Sequence, residues 1–367
     1  MRVLVTGANG FIGKNLLVHL REQKIETVLF THEMSEVQLP ECLEGVEFVF
    51  HLAGVNRPKD PVEFVAGNKE LTVHLCDAIR ASGRQIPVVY TSSIQAEADN
   101  LYGASKKAAE QALIALEKDT GSPVYIYRLP NVFGKWSRPN YNSAVATFCH
   151  NIANDLPIQI NDPSATVRLI YVDDVIAEFL RIMVERPTGA IFPNCQPTYT
   201  ITVGDLAEQI YTFKQSRQNM LIEAVGTGLT RALYSTYLSF LKPEQFSYGL
   251  PIHEDPRGCF VEMLKTKDSG QFSFFTAHPG VTRGGHYHHS KNEKFLVIQG
   301  KARFGFRHVV TGETYELITD GEQPQVVETV PGWSHDITNV GDNEMIVMLW
   351  ANEVFDRQHP DTIQYKV

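Results

Sequence analysis

The stretch Arg2-Val3-Leu4-Val5-Thr6-Gly7-Ala8-Asn9-Gly10-Phe11-Ile12-Gly13 decides how the first half of the chain folds. Its apolar start reads as a buried strand and not as a signal peptide, because Gly7 cuts the apolar run short. Glycines at 7, 10 and 13 then predict a tight turn that opens into a helix over 15–23. Glycine there lets backbone approach a pyrophosphate, and the helix N-terminus adds amide donors and the positive end of a dipole. The turn therefore predicts a dinucleotide site. Further along, 27–30, 48–52, 88–91 and 124–129 read as apolar strands, with helical patterns over 68–81 and 104–117. Strand–helix alternation predicts a parallel sheet covered on both faces.

The chain has 367 residues, of which 43% are apolar and 20% charged, the composition of a globular protein. At about 150 residues per domain it holds two to three domains. A formal charge of −9 excludes a polyanionic partner, so neither nucleic acid nor an anionic membrane surface is expected. No apolar run approaches the roughly 20 residues that span a bilayer. The five cysteines, at 42, 76, 149, 195 and 259, are scattered with no C-x-x-C, which fits reduced thiols and a cytoplasmic location. The pattern changes near Leu241-Lys242-Pro243. Beyond it, 272–276, 294–298, 302–306, 326–330 and 345–350 read as strands separated by turn signals. Two domains are expected, 1–244 and 245–367. Eight of the 13 histidines lie from His253 onward, where metal chemistry is to be sought.

The motifs of residues 1–240 resemble those of the extended, nucleotide-sugar-processing short-chain dehydrogenases/reductases, which fold as a Rossmann-like doubly wound parallel sheet. The G-x-x-G-x-x-G turn has that family's spacing, and Tyr102-Gly-Ala-Ser-Lys106 is similar to its Tyr-x-x-x-Lys. Spaced by four, Tyr102 and Lys106 share a helix face, where an ammonium lowers the phenol pKa. Ser93 matches the serine that bonds the same substrate oxygen. The resemblance implies catalysis by Tyr102, Lys106 and Ser93. It implies cofactor contacts from Gly7, Asn9, Gly10, Phe11, Ile12, Gly13, His32, Leu52, Ala53, Gly54, Tyr102, Lys106 and Arg128. Asn131, Arg168 and Tyr171, with Ser93, would face the substrate, Arg168 toward its diphosphate, because a guanidinium fork suits phosphate oxygens. On residue type alone, Tyr102 and Lys106 read as a surface pair on an ordinary helix, and it is the glycine turn and Ser93 that favour catalysis; a surface salt bridge is the alternative for Arg168.

Two departures narrow the chemistry. Members that dehydrate carry an acidic pair after the catalytic Ser or Thr. Here Ile94 and Gln95 follow Ser93, so dehydration is not expected. Phe30-Thr31-His32-Glu33 lacks the aspartate that NAD-preferring members place after the second strand, which favours NADPH over NAD, although Glu33 could serve the ribose diol.

In the second half, Gly280-x5-His286-x-His288-x4-Glu293-x6-Gly300 resembles the first cupin motif, and Gly332-x-x-His335-x3-Asn339 the second. An all-β jelly-roll barrel with one divalent metal on His286, His288, Glu293 and His335 is implied. Imidazoles and a carboxylate suit Zn, Fe, Mn or Ni, with Zn expected. Pro331 directly precedes Gly332 instead of standing two before it. Asp255-Pro-Arg257-Gly-Cys-Phe260 and Arg283-Gly-Gly-His286 are also similar to elements of the dTDP-4-keto-6-deoxyhexose 3,5-epimerases, in which a base removes the proton α to a ketone. His286 cannot be both ligand and base. The base stays open among His308, Asp336 and metal-bound water.

The fusion of such a reductase to a cupin resembles the bifunctional bacterial enzymes of UDP-N-acetyl-L-fucosamine synthesis over essentially the whole chain. That resemblance implies epimerisation of C3 of a UDP-2-acetamido-2,6-dideoxy-4-keto-hexose, then reduction of C4 with NADPH, by a homodimer acting on a UDP-sugar. Two alternatives stand beside it. One is a single-function reductase with a metal-stabilised cupin for oligomerisation, and the other an NAD-dependent C4-epimerase.

Overall fold

Five short strands and one two-residue pair form a parallel sheet in the order β2-β1-β3-β4-β5 and then Ala190–Ile191. They are β1 (Arg2–Thr6), β2 (Glu26–Phe30), β3 (Phe48–His51), β4 (Val88–Ser93) and β5 (Val124–Leu129). Every residue of β3 and β4 is buried, which is why these strands read as continuous apolar runs without alternation. Helices α1 (Phe11–Glu22), α2 (Leu71–Ala81) and α3 (Leu101–Thr120) cover the sheet. A π-helical turn, Val65–Glu70, leads into α2, so the helix expected over 68–81 is helical throughout but not uniformly α. The order reverses at β1, with β2 on one side and β3 on the other. Such a switch opens a crevice beyond the C-terminal ends of the two diverging strands, β1 and β3.

This computed structural model describes all residues except 59, 252, 256–257, 261–263, 267–269 and 354–357. Of 253–255, 258–260, 265 and 271–273 it describes the backbone only.

The all-β second half expected from the sequence is present as two five-stranded antiparallel sheets. Its main strands are β6 (Gln271–Ala277), β7 (Thr282–Tyr287), β8 (Glu293–Gln299), β9 (Lys301–His308), β10 (Thr314–Asp320), β11 (Gln325–Glu328), β12 (Trp333–Asn339) and β13 (Met345–Ala351). One sheet runs Ser247–Gly249, β11, β8, β13, β6. The other runs β10, β9, β12, β7, Ile363–Gln364.

The described chain forms two compact units that a linear boundary does not reproduce. One comprises Met1–Ser143 with Val167–Thr200, the other Ala144–Thr166 with Ile201–Val367. Helices Ala144–Ala153, Val203–Asn219 and Gly228–Leu238, all before residue 245, belong with the antiparallel sheets. Polar anchors that sequence periodicity does not display run through this unit. Gln245 Nε2 donates to Ala153 O at 2.7 Å, and Ser235 Oγ to Ser290 O at 3.0 Å. The fully buried Lys294 ammonium pairs with the Glu328 carboxylate, which also takes Arg217 at 3.2 Å.

Removing one partner of a buried ion pair leaves an uncompensated charge. Glu328→Ala is therefore expected to cost roughly 3–5 kcal/mol in equilibrium urea unfolding. A loss below about 1 kcal/mol would place Lys294 in contact with water.

Candidate active sites

At the end of β1, Gly7 takes φ 68 and meets the loop after β3 so closely that a Cβ would stand 2.6 Å from Ala53 N. A Cβ on Gly13 would stand 2.3 Å from Gly7 O. These two glycines are demanded by backbone contact. Gly10 is different. It is the exposed N-cap of α1, with no side-chain cap bond, so the first amides of the helix are left for an anion.

The crevice at the strand switch is a cleft of about 680 Å³. Gly7, Asn9, Gly10, Phe11, Ile12, Gly13, Leu52, Gly54, Tyr102 and Lys106 line it, as do Ser93 and Asn131. His32, Ala53 and Arg128 do not line it. Ala53 N instead donates to Thr6 Oγ at 3.2 Å, and His32 is exposed. Arg128 gives its fork to the buried Glu110, at 2.9 and 2.7 Å, and also pairs with Glu97. It lines a neighbouring 250 Å³ cavity together with Arg168. Tyr171 is buried with its ring against Phe133. Sequence reasoning missed the wall formed by Lys14, Trp136, Ser137, Arg138 and Tyr141, since the loop carrying the last four has no periodic pattern.

Tyr102 stands in the first turn of α3, whose start is capped by Asn100 accepting from Gly103 N at 2.8 Å. Burial pushes its phenol above the ordinary value, and a hydrogen bond with Ser93 works the other way. Lys106 Nζ, one helical turn on, donates to Thr91 O at 2.9 Å and lies over the Tyr90 ring. Burial lowers the ammonium to about 8, against the pull of Glu110.

Beneath the cleft runs a buried polar chain that fixes a tautomer. Thr72 Oγ donates to Asn68 O at 2.6 Å, so it must accept from His51 Nε2 at 2.8 Å. His51 Nδ1 is then the acceptor for Thr6 Oγ, at 2.8 Å, and Thr6 Oγ in turn accepts Ala53 N. Asn68 completes the floor. Its Oδ1 accepts Val55 N at 2.9 Å, and its Nδ2 donates to Val55 O and Ser105 Oγ. Burial, helped by Lys106, lowers His51 to about 3.

In the second unit, β7 carries His286 and leads directly into His288, β8 begins with Glu293, and β12 carries His335 opposite His286. One ligand atom from each lies within 4.8 Å of the others. Gly284 permits this, because a Cβ there would come 2.8 Å from His335 O. His286 is lowered to about 3 by burial and then by the other two imidazoles. Burial alone would raise Glu293, but bonds from His288 and His335 hold it well below the usual carboxylate range. Three imidazoles facing one carboxylate form a donor set that fits a divalent cation. His286, Glu293 and His335 also line a 200 Å³ cavity walled by Phe275, Phe295, Phe304 and Phe306, with Arg283 and Asp336.

Of the candidate bases, Asp336 lines that cavity and lies 3.3 Å from Arg303. His308 does not. Its Nδ1 accepts the amides of Val310 and Thr311 in a turn, and its ring stands edge-on to Trp333. Asp255 and Phe260 lie on a short hairpin described by its backbone, and Arg257 lies outside the described residues.

Residues 3–192 match the NAD dependent epimerase/dehydratase family, and 253–363 match the polysaccharide biosynthesis C-terminal domain. The chain belongs to the NAD dependent epimerase/dehydratase family. It is 65% identical over 363 residues to UDP-2-acetamido-2,6-beta-L-arabino-hexul-4-ose reductase of Pseudomonas aeruginosa, covering 99% of this chain and 98% of that one. A dTDP-4-dehydro-6-deoxyglucose reductase of Escherichia coli is 26% identical, across 60% of this chain and 83% of its own. The crystal structure of the capsular polysaccharide assembling protein CapF from Staphylococcus aureus matches with a TM-score of 0.68, at 42% identity and full coverage of both chains. This family and the 65% identity to that reductase over the whole chain make the chain an NAD(P)-dependent oxidoreductase.

His51 has a folded pKa of about 3, below its ordinary 6.5. As pH falls, the unfolded chain takes up this proton first. The stability that neutral His51 contributes is therefore complete above 6.5 and lost on the way down to 3, by up to about 1.4 kcal/mol per pH unit. The unfolding free energies of wild type and His51→Gln should converge between about pH 7.5 and pH 5. An unchanged gap would show that His51 is not buried neutral.

Proposed function

We propose that this chain is a bifunctional UDP-sugar enzyme supplying precursors of capsule or O-antigen. It epimerises C3 of UDP-2-acetamido-2,6-dideoxy-L-arabino-hexos-4-ulose and then reduces the C4 ketone to UDP-N-acetyl-6-deoxy-L-talosamine. Residues 1–244 supply the reductase and residues 245–367 the epimerase, in a cytoplasmic homodimer. The name of the Pseudomonas relative and its identity along the whole chain support the substrate. The carrying observation is that Ser93, Tyr102 and Lys106 line the same cleft as the glycine turn.

NADPH, seated on the α1 amides and against Gly7 and Gly54, would supply hydride to C4. Ser93 donates to the C4 oxygen and fixes the ketone. Tyr102 then gives that oxygen its proton, and a phenol raised by burial still holds a proton at neutral pH, as an acid must. Lys106, anchored by Thr91 O, lies one helical turn behind Tyr102 and would favour phenolate after transfer. Ile94 and Gln95 also line the cleft and offer no acid–base pair, so elimination of water does not compete.

In the barrel, a 4-keto group acidifies the C3 hydrogen. His286, His288, Glu293 and His335 would hold a divalent ion, taken as zinc, that polarises the ketone. Asp336, which lines the same cavity, takes the C3 proton, and Arg303 holds its carboxylate.

NMR of the intact protein with the 4-keto sugar in D₂O separates the two activities. Tyr102→Phe should abolish NADPH oxidation and leave deuterium entering C3. Loss of both would overturn the division of labour. His335→Ala should stop the exchange yet still reduce a substrate already inverted at C3. Undiminished exchange would remove the cation from the mechanism.

A further inference from the structure

The last residues of the chain cross the barrel beside the ligand cluster. Ile363–Gln364 adds an edge strand to β7, with Gln364 opposite His286 and Ile363 opposite Tyr287. Tyr365 N donates to Gly285 O at 2.8 Å, and Ser334, the neighbour of His335, donates its hydroxyl to Tyr365 O. Asp361 does more. Its carboxylate accepts the amides of His289, Ser290 and Lys291 at 2.8, 2.7 and 2.7 Å, and the Ser290 hydroxyl at 3.1 Å. One side chain thus ties down the loop running from His288 to Glu293. The backbone carbonyl of the same residue bonds His288 Nδ1.

A carbonyl only accepts, so His288 Nδ1 carries a proton, and Nε2, 3.1 Å from Glu293 Oε2, is the nitrogen turned into the cluster. Outer partners of this kind set the ring orientation and tautomer of a metal-ligating histidine. We propose that residues 361–365 are the positioning element of the cation site, with Asp361 as its key residue. The strap holds the strand bearing His286, the tautomer and loop of His288, and the strand bearing His335. It requires no side chain of its own inside the coordination shell. This rests on the cation reading of the cluster given above.

The test uses the full-length protein, stripped with a chelator and titrated with Co²⁺, reading visible absorption and the affinity from a competing chromophoric chelator. Wild type should take one equivalent. Asp361→Ala should bind roughly 10- to 100-fold more weakly with an altered cobalt spectrum, while NADPH binding is unchanged. Asp361→Asn keeps the shape and one acceptor, and it serves if the alanine variant does not fold. With its thermal transition kept, it should still lose several-fold in affinity. Wild-type affinity and spectrum in a folded Asp361 variant would overturn the positioning role alone. A wild type that takes up no cobalt would overturn the cation reading, and the strap's role with it.

Discussion

The contact on which the first unit depends is between two stretches of backbone. Gly7, at the end of β1, touches the loop that leaves β3, and Gly13 touches Gly7 in turn. No side chain fits at either place. The helix must therefore start where it does, with its first amides at the crevice between diverging strands. Everything else in the cleft is placed relative to that start. The loop after β3 is held from below by Thr6 and Asn68, and α3 presents Tyr102 and Lys106 from the far wall.

Electrostatics in both units follows from burial more than from pairing. His51 and His286 are driven neutral because an imidazolium in either place would lack water. Lys106 meets the same desolvation, which lowers its ammonium to about 8. Glu293 is the exception, held ionised by the imidazoles around it. Three imidazoles around one carboxylate are a donor set that suits a divalent ion, and a protonated phenol is what a ketone reduction demands.

Much of the site was legible in the sequence because its geometry is local. Tyr102 and Lys106 are one helical turn apart, His286 and His288 two residues apart, and the glycine turn is contiguous. The cleft and the cluster contain all of these. What was not legible depends on partners distant along the chain. Arg128 sits in a motif that suggested the cofactor, yet Glu110 on α3 and Glu97 occupy its guanidinium. His308 looked as available as Asp336, and a hairpin turn bonds its ring instead.

The sequence by itself determined the parallel sheet with its glycine turn, the antiparallel second half and the four clustered residues His286, His288, Glu293 and His335, because periodicity and fixed spacing act over a few residues. Only the tertiary structure decided which polar groups remain available to a substrate. Hydrogen bonds and ion pairs between distant segments settle that, as Asp361 does for the loop after His288 from the end of the chain. It also decided that helices 144–153, 203–219 and 228–238 pack with the antiparallel sheets, where Arg217 reaches the buried Glu328 and Ser235 reaches Ser290 O.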